Sequence, residues 1–332
     1  MGGRNDRVVI VGIDEAGYGP LLGPLVVCAT AFRAPAALAG ADWWRALRGA
    51  VAPKPRVREP RLVITDSKEL SRRPDALRWL ERPALTFLSL PDAQGNPRKF
   101  PPTLRGLLGQ LDRAVVPALG EYPWYRDADF PLPAAVSEAD VVTQRSAVHS
   151  CLAEAGIEFL GVYAEILLEG RFNRLVAATR NKSVALLGQT IRLIQRGSQA
   201  GGPAACHVYI DKQGGRQSYG RALMTAFEDA HLEILEQTQT SSAYRLVREP
   251  APWEIRFLQG GEKRHLVIAL ASIYAKYVRE LFMRAFNAFW GGFVKGLAPT
   301  AGYYVDGQRF LKDIEPVVKQ MKLDRSLLIR AR

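Results

Sequence analysis

Two rhythms of apolar and polar positions run along the chain. Arg7 to Asp14 (RVVIVGID) is a β-branched run bounded by Gly17 and Gly19 and predicts a buried strand. Pro24 to Phe32 (PLVVCATAF) predicts a second strand after a Gly/Pro turn, so that the two form a hairpin. Leu62 to Thr65 lead into Asp66-Ser67-Lys68, with a helix starting near Ser67. Ala84 to Leu90 (ALTFLSL) reads as a strand, 91–103 as a Pro- and Gly-rich loop, and 120–135 as an irregular aromatic insert. Ile157 to Glu169 predicts a strand, and Phe172 to Arg196 has the spacing of a long helix. Ala204 to Asp211 (AACHVYID) is a strand that ends in an acid. Tyr219 to Ala230 predicts a helix, 231–258 strands and turns, and 306–330 helix. Between His265 and Trp290, Leu266, Leu270, Ile273, Tyr277, Leu281 and Phe282 follow a 3.6-residue period, which predicts a long helix with a core-facing stripe. Strands alternating with helices predict an α/β architecture opened by a hairpin.

Composition narrows the class of protein. With 48% apolar and 23% charged residues, the 332-residue chain is globular rather than disordered. A net charge of +12 points to polyanions or anionic surfaces as partners. Cys28, Cys151 and Cys206 lie far apart and form no CxxC pair. A zinc cluster or disulfide framework is therefore not expected, which suits a reducing compartment. The opening residues hold no apolar segment with a cleavage site, and no 18-residue apolar stretch occurs. The expectation is a soluble, cytoplasmic protein with no membrane partner.

The candidate chemistry lies in acids at strand ends. Asp14 and Glu15 end the first strand and Asp211 ends another. Loops beyond strand ends often carry catalytic groups because a rigid sheet holds them there. Carboxylates gathered together repel, and hard divalent cations such as Mg²⁺ or Mn²⁺ reverse that repulsion. The turn after Asp14, AGYGPLLGP, places glycines at 17, 19 and 23 as GxGxxxG. A dinucleotide fingerprint needs GxGxxG and a βα unit, so a nicotinamide site is excluded. Glycines at such a turn let backbone amides approach a phosphate or sugar.

Five ordered motifs carry a resemblance. GIDEAGYGPLLGPLVV, TDSKELS (65–71), HVYID (207–211), GGEKRHLVIALASIYAK (260–276) and AGYYVDGQRFL (301–311) are similar to successive blocks of the type 2 ribonuclease H family, ribonucleases HII and HIII. The stretch spans about 14 to 311, with 91–150 and 212–258 expanded. The resemblance implies a ribonuclease H-like fold with a mixed five-stranded sheet, flanking helices and insertions. It implies one catalytic domain over 5–330, containing an inserted segment at about 91–150 and a helical region at about 306–330.

The resemblance also implies a site. Asp14, Glu15 and Asp211 match three metal-binding carboxylates of the family. The fourth falls on Glu262, ten residues before Ser272, with Glu280 as the competitor. Glu280 follows Lys276 by four on the long helix, a spacing that suits an ion pair. Ser272 and Lys276 share a helix face that can hold a backbone phosphate, and Lys68 is a second phosphate contact. Tyr303 matches a tyrosine that stacks on a sugar. Tyr18 stands where the family has Arg, while Gly17 and Gly19 beside it still offer amides to a 2′-hydroxyl. The histidines show no metal spacing. His207 reads as structural, and His265 is a weaker candidate for the site's neighbourhood. The tryptophans and the Pro-rich insert read as packing. The implied protein is a monomeric, Mg²⁺- or Mn²⁺-dependent endonuclease with two divalent ions, acting on RNA–DNA hybrids or ribonucleotide-containing duplex DNA. The alternatives are a non-catalytic nucleic-acid-binding relative and a same-fold nuclease of structured DNA.

Overall fold

The computed structural model describes residues 7–331 except 57, 58, 93, 94 and 97. The expected domain start at residue 5 therefore lies outside the described residues. The chain opens with β1 (Arg7–Ala16) and β2 (Leu25–Pro35), followed by α1 (Trp43–Ala46), β3 (Val51–Ala52), β4 (Leu62–Val63), α2 (Ser67–Ser71) and α3 (Ala76–Leu88). The region read as an insert holds α4 (Leu104–Leu111), α5 (Val115–Ala118), α6 (Pro123–Arg126) and α7 (Glu138–Glu154). Then come β5 (Glu158–Leu167), α8 (Glu169–Thr179), α9 (Lys182–Gln199), β6 (Cys206–Asp211) and α10 (Gly220–Ala226). The chain continues through β7 (His231–Gln237), β8 (Ser241–Val247), β9 (Trp253–Leu258), α11 (Leu266–Gly291), α12 (Tyr304–Gln320) and α13 (Arg325–Leu328).

The architecture is mixed α/β with flanking helices, as the alternation implied. One sheet runs in the order β5-β2-β1-β6-β9-β8-β7, with β1, β6 and β9 parallel and the other pairings antiparallel. It has seven strands rather than the expected five, because the 231–247 stretch adds the hairpin β7–β8 outside β9. The opening hairpin is present: Ile10 faces Phe32 and Asp14 faces Cys28.

Alternation along β1 sends Val9, Val11 and Ile13 to the core beneath α8 and α9, and Val8 and Ile10 to the core beneath α11. Gly12 and Asp14 share the α11 side. A Cβ at Gly12 would sit 2.2 Å from the Val267 carbonyl carbon, so this glycine lets α11 lie directly on the strand. The helix is buried around most of its circumference, Tyr274 and Tyr277 included, and is not a one-sided amphipathic helix.

Three local expectations are corrected. Residues 84–88 are helical, as the end of α3, because Leu80, Ala84, Leu85, Phe87 and Leu88 are all buried. A short apolar run buried on every side has no period to distinguish strand from helix. The long helix expected over 172–196 is two helices. The chain breaks at Arg180, which adopts φ 51°, and restarts with Asn181 capping the Ser183 amide. The 120–135 stretch is not wholly irregular, since α6 lies inside it.

The stretch 104–154, from α4 to α7, packs onto the body. The buried Glu81 carboxylate accepts bonds from the amides of Ala134, Ala135 and Val136 and from the Tyr277 hydroxyl at 2.8 Å. Asp112 accepts the Ile166 amide at 2.9 Å on the β5 edge, a device that blunts an open sheet margin. Trp124 is 2% exposed against Phe286 and Trp290, in keeping with packing rather than base stacking. Among the described residues, no helix is long and apolar enough to cross a membrane.

Candidate active site

Three parallel strands deliver the acids. Ile13 and Ile210 are partners across β1 and β6, so Asp14 and Asp211 follow them side by side at the strands' carboxyl ends. Asp211 pairs in turn with Leu258, the last residue of β9. Beyond it Gly260 adopts φ 62° and starts the tight turn that presents Glu262. The Gly261 amide donates to Asp211 at 2.7 Å, tying that turn to β6. Carboxyl ends of parallel strands are the usual ligand side of an α/β sheet.

Asp14, Asp211 and Glu262 each offer a carboxylate oxygen, and these atoms lie within 4.8 Å of one another. Glu15 lines the same cleft, but its carboxylate is not in that closest set. Two unit charges at this separation repel by about 3 kcal/mol at an effective dielectric near 20. The carboxyls respond by holding protons. Burial, then the neighbouring Glu15, Asp211 and Glu262 charges, hold Asp14 well above its usual range. Burial and the Asp211 charge push Glu15 up to about 8 against the pull of Lys68. Burial raises Glu262 to about 7, with Lys68 opposing and Asp66 and Asp211 adding. Burial also raises Asp211, although the Gly261 amide favours its charged form. An all-oxygen donor set that is buried, crowded and proton-holding fits hard divalent cations.

The cleft has a volume of about 630 Å³ and brings together all the residues singled out in the sequence: Asp14, Glu15, Gly17, Tyr18, Gly19, Lys68, Asp211, Glu262, Ser272, Lys276 and Tyr303. Of the rivals for the fourth acid, Glu262 joins the carboxylate set. Glu280 instead binds Lys276 at 2.8 Å, one helical turn away. Lys68 reaches Glu262 at 3.8 Å from a side chain that is 74% exposed. Tyr303, half exposed, stands where α12 begins. Ser272 is more enclosed than an open phosphate ridge would be. It is 3% exposed, bonds Ser67 Oγ at 2.9 Å and supports Asp14. Tyr18 carries Lys182 Nζ 4.9 Å from its ring centre.

His265 faces away from the acids and stacks on Tyr209 at 4.1 Å, and His207 lies 3.7 Å from Glu254. Both line a separate cleft with Glu254 and Arg256.

Four neighbours of the site escaped the sequence reading. Asp66 and Ser67 belong to the TDSKELS motif, which was the available signal. Asp66 caps α2 through the Lys68 amide, and its neighbouring carboxylate helps to raise Glu262. Arg279 and Arg330 are buried and hydrogen-bond backbone carbonyls of the 17–24 turn and its surroundings, and the Arg330 guanidinium also lies 4.0 Å over the Phe172 ring, so no local pattern marks them.

No protein-family model matches the chain, and no curated protein matches it. The structure is similar to several solved structures. One is Bst ribonuclease HIII in complex with Mn²⁺, at 14% identity and a TM-score of 0.41, covering 97% of this chain. The chain spans 66% of that protein's length. Another is ribonuclease HII from Archaeoglobus fulgidus in a PCNA complex, at 14% identity and a TM-score of 0.40, covering 98% of this chain and 95% of that one. A third is ribonuclease H2 from Pyrococcus horikoshii OT3, at 13% identity and a TM-score of 0.41, covering 97% of this chain and 92% of that one. These neighbours carry the name of the family that the five sequence motifs resemble.

Proposed function

We propose that this chain is a metal-dependent endonuclease that hydrolyses the RNA strand of RNA–DNA hybrids, or ribonucleotides within duplex DNA, leaving 5′-phosphate and 3′-hydroxyl ends. The observation that carries the reading is the meeting of Asp14, Asp211 and Glu262, remote in sequence, within 4.8 Å in one cleft. In this reading Asp14, Glu15, Asp211 and Glu262 hold two Mg²⁺ or Mn²⁺ ions. Such ions, when bound, supply activation of water near neutral pH and stabilisation of the leaving oxygen.

The chain's own groups bind and orient. The Tyr18 and Gly19 amides, which have no partner among the described residues, are donors for a phosphate oxygen or a 2′-hydroxyl. Lys68 and Lys276 face the backbone of a nucleic-acid strand, and the net charge of +12 adds attraction that weakens with salt. Tyr303 offers a ring face to a sugar at the mouth of the cleft. Tyr18 offers a hydroxyl and a ring where a guanidinium would give a bidentate cation, so a strict preference for a lone ribonucleotide is not expected of this turn.

Cleavage of three duplexes, an RNA–DNA hybrid, a DNA duplex with one embedded ribonucleotide and an all-DNA duplex, each in Mg²⁺ and in Mn²⁺, tests the reading. Cutting confined to ribose-containing substrates supports it. Equal cutting of the all-DNA duplex replaces it with a same-fold nuclease on DNA. Binding without cutting any duplex replaces it with a non-catalytic nucleic-acid-binding relative.

A further inference from the structure

The turn that offers the Tyr18 and Gly19 amides is gripped from behind. Arg330, 3% exposed, donates to the Gly17 carbonyl, to the Gly23 carbonyl at 3.5 Å and to the Tyr18 carbonyl at 3.2 Å. Its own amide donates to Leu21 at 3.0 Å. Arg279, 1% exposed, secures the far limb of the turn through Leu22 at 3.1 Å and Pro24 at 2.9 Å. Among the described residues, neither arginine has a carboxylate within ion-pairing distance, so backbone carbonyls are their direct hydrogen-bond partners. Burying a cation on such terms is costly, and the position of the turn is what it secures.

Peptide planarity converts this grip into a direction. In a trans peptide the C=O of one residue and the N–H of the next point opposite ways. A guanidinium holding the Gly17 and Tyr18 carbonyls therefore turns the Tyr18 and Gly19 N–H groups away from itself. Gly17, Tyr18 and Gly19 line the cleft, and Arg330 does not. Bonds to a charged donor also polarise the two peptides, so their amides donate more strongly on the other side. The segment carrying Arg330 is itself fixed, since Asn173 on α8 donates to the Ser326 and Ile329 carbonyls, both at 2.7 Å.

We propose that Arg330 is a positioning residue that aims the Tyr18 and Gly19 amides at a sugar–phosphate oxygen beside the acidic cluster. The inference rests on the nuclease reading only for the identity of that oxygen.

The test uses the full chain with ¹⁵N-labelled tyrosine and glycine, titrated with an RNA–DNA hybrid in EDTA, alongside steady-state cleavage in Mg²⁺. Arg330→Lys keeps a cation but loses the planar fork that spans two carbonyls. In the wild type, the hybrid should shift the Tyr18 and Gly19 amide signals. In Arg330→Lys those signals should start displaced and stop responding, kcat should fall about tenfold or more, and hybrid affinity should change by less than about threefold. Arg325→Gln, which breaks an exposed 3.1 Å pair with Glu315 on the same segment, should behave as wild type. If Arg330→Lys does not fold, Asn173→Ala loosens the same segment without touching the guanidinium and should give the same pattern in smaller measure. Wild-type amide response and kcat in either folded variant overturn the proposal. Amides that respond to the hybrid in a wild type that cuts nothing, and fall silent in Arg330→Lys, refute the nuclease reading and leave the positioning role standing.

Discussion

Glu262 allows the acidic cluster to be weighed against stability. Glu262→Gln removes one charge from the cluster and keeps the side chain's shape. In the folded chain Glu262 is 5% exposed, and burial with the Asp66 and Asp211 charges outweighs Lys68, so its carboxyl titrates at about 7 rather than 4.5. The displacement corresponds to about 3 kcal/mol of disfavoured charge. Lys68 loses its partner in the variant, but its side chain is 74% exposed and rehydrates, leaving a net gain of about 2 kcal/mol. The sign follows from proton binding. Between pH 4.5 and about 7 the folded chain holds a proton that the unfolded chain has released, so wild-type stability falls as pH rises through that window and levels off above it.

The variant escapes that loss. Thermal melts in EDTA should therefore coincide for the two proteins near pH 4.5. At pH 8 Glu262→Gln should melt higher by about 4 °C, taking about 2 °C per kcal/mol for a chain of this size. Adding Mn²⁺ should reverse the order, since a ligand that binds only the folded state stabilises by mass action and the variant has lost a donor. A variant that melts at or below wild type at pH 8 in EDTA refutes the reasoning, because Glu262 would then not be an uncompensated buried charge.

Asp211→Asn should abolish Mg²⁺-dependent cleavage while leaving hybrid binding within about threefold, and a mutant cleaving at the wild-type rate sinks the site assignment. Gly12→Ala should destabilise by about 3 kcal/mol, because its Cβ meets the Val267 carbonyl carbon at 2.2 Å. Calorimetry reads that loss, and cleavage should fall with it as α11 and Ser272 are pushed from Asp14. A thiol reagent at pH 8 should modify at most Cys151 in the native protein. Cys28 and Cys206 are buried and their thiols are pushed up, Cys206 to about 12, so all three should react only in denaturant.

What could be read from the sequence follows how local each signal is. β1, β6 and α11 were legible because a β-branched run or a 3.6-residue period spans a whole element. The acids were legible because Asp14 and Asp211 sit where those runs stop. The end of α3 was not: burial around Ala84 and Phe87 removes the polar positions that would reveal a period. The break at Arg180 was hidden because a left-handed residue other than glycine leaves little compositional trace. The seventh strand depended on β7 pairing with β8, a choice made by the hairpin rather than by either run. Arg330 was least visible, since it is defined by a partner more than 300 positions away.

The placement of the site also explains why so much of the core surrounds it. Each neighbouring pair of carboxylates that is charged repels by about 3 kcal/mol, and proton-holding by Asp14, Glu15 and Glu262 relieves that repulsion only until the pH rises past their raised values. The apo chain has to hold Asp14, Asp211 and Glu262 together by other means. Leu266, Ile268, Leu270 and Ile273 on α11 are each 1% exposed or less, and each contributes about 2 kcal/mol by burial. They bracket Ser272, and the backbone of Val267 and Ile268 lies directly on Gly12, two residues before the first acid. The hydrophobic contact of α11 with β1 thus outweighs the charge crowding at the same strand end, and fixing the helix fixes the carboxylates. Weakening that contact should loosen the site before it unfolds the chain, because the repulsion then acts in the direction the helix is freed to move.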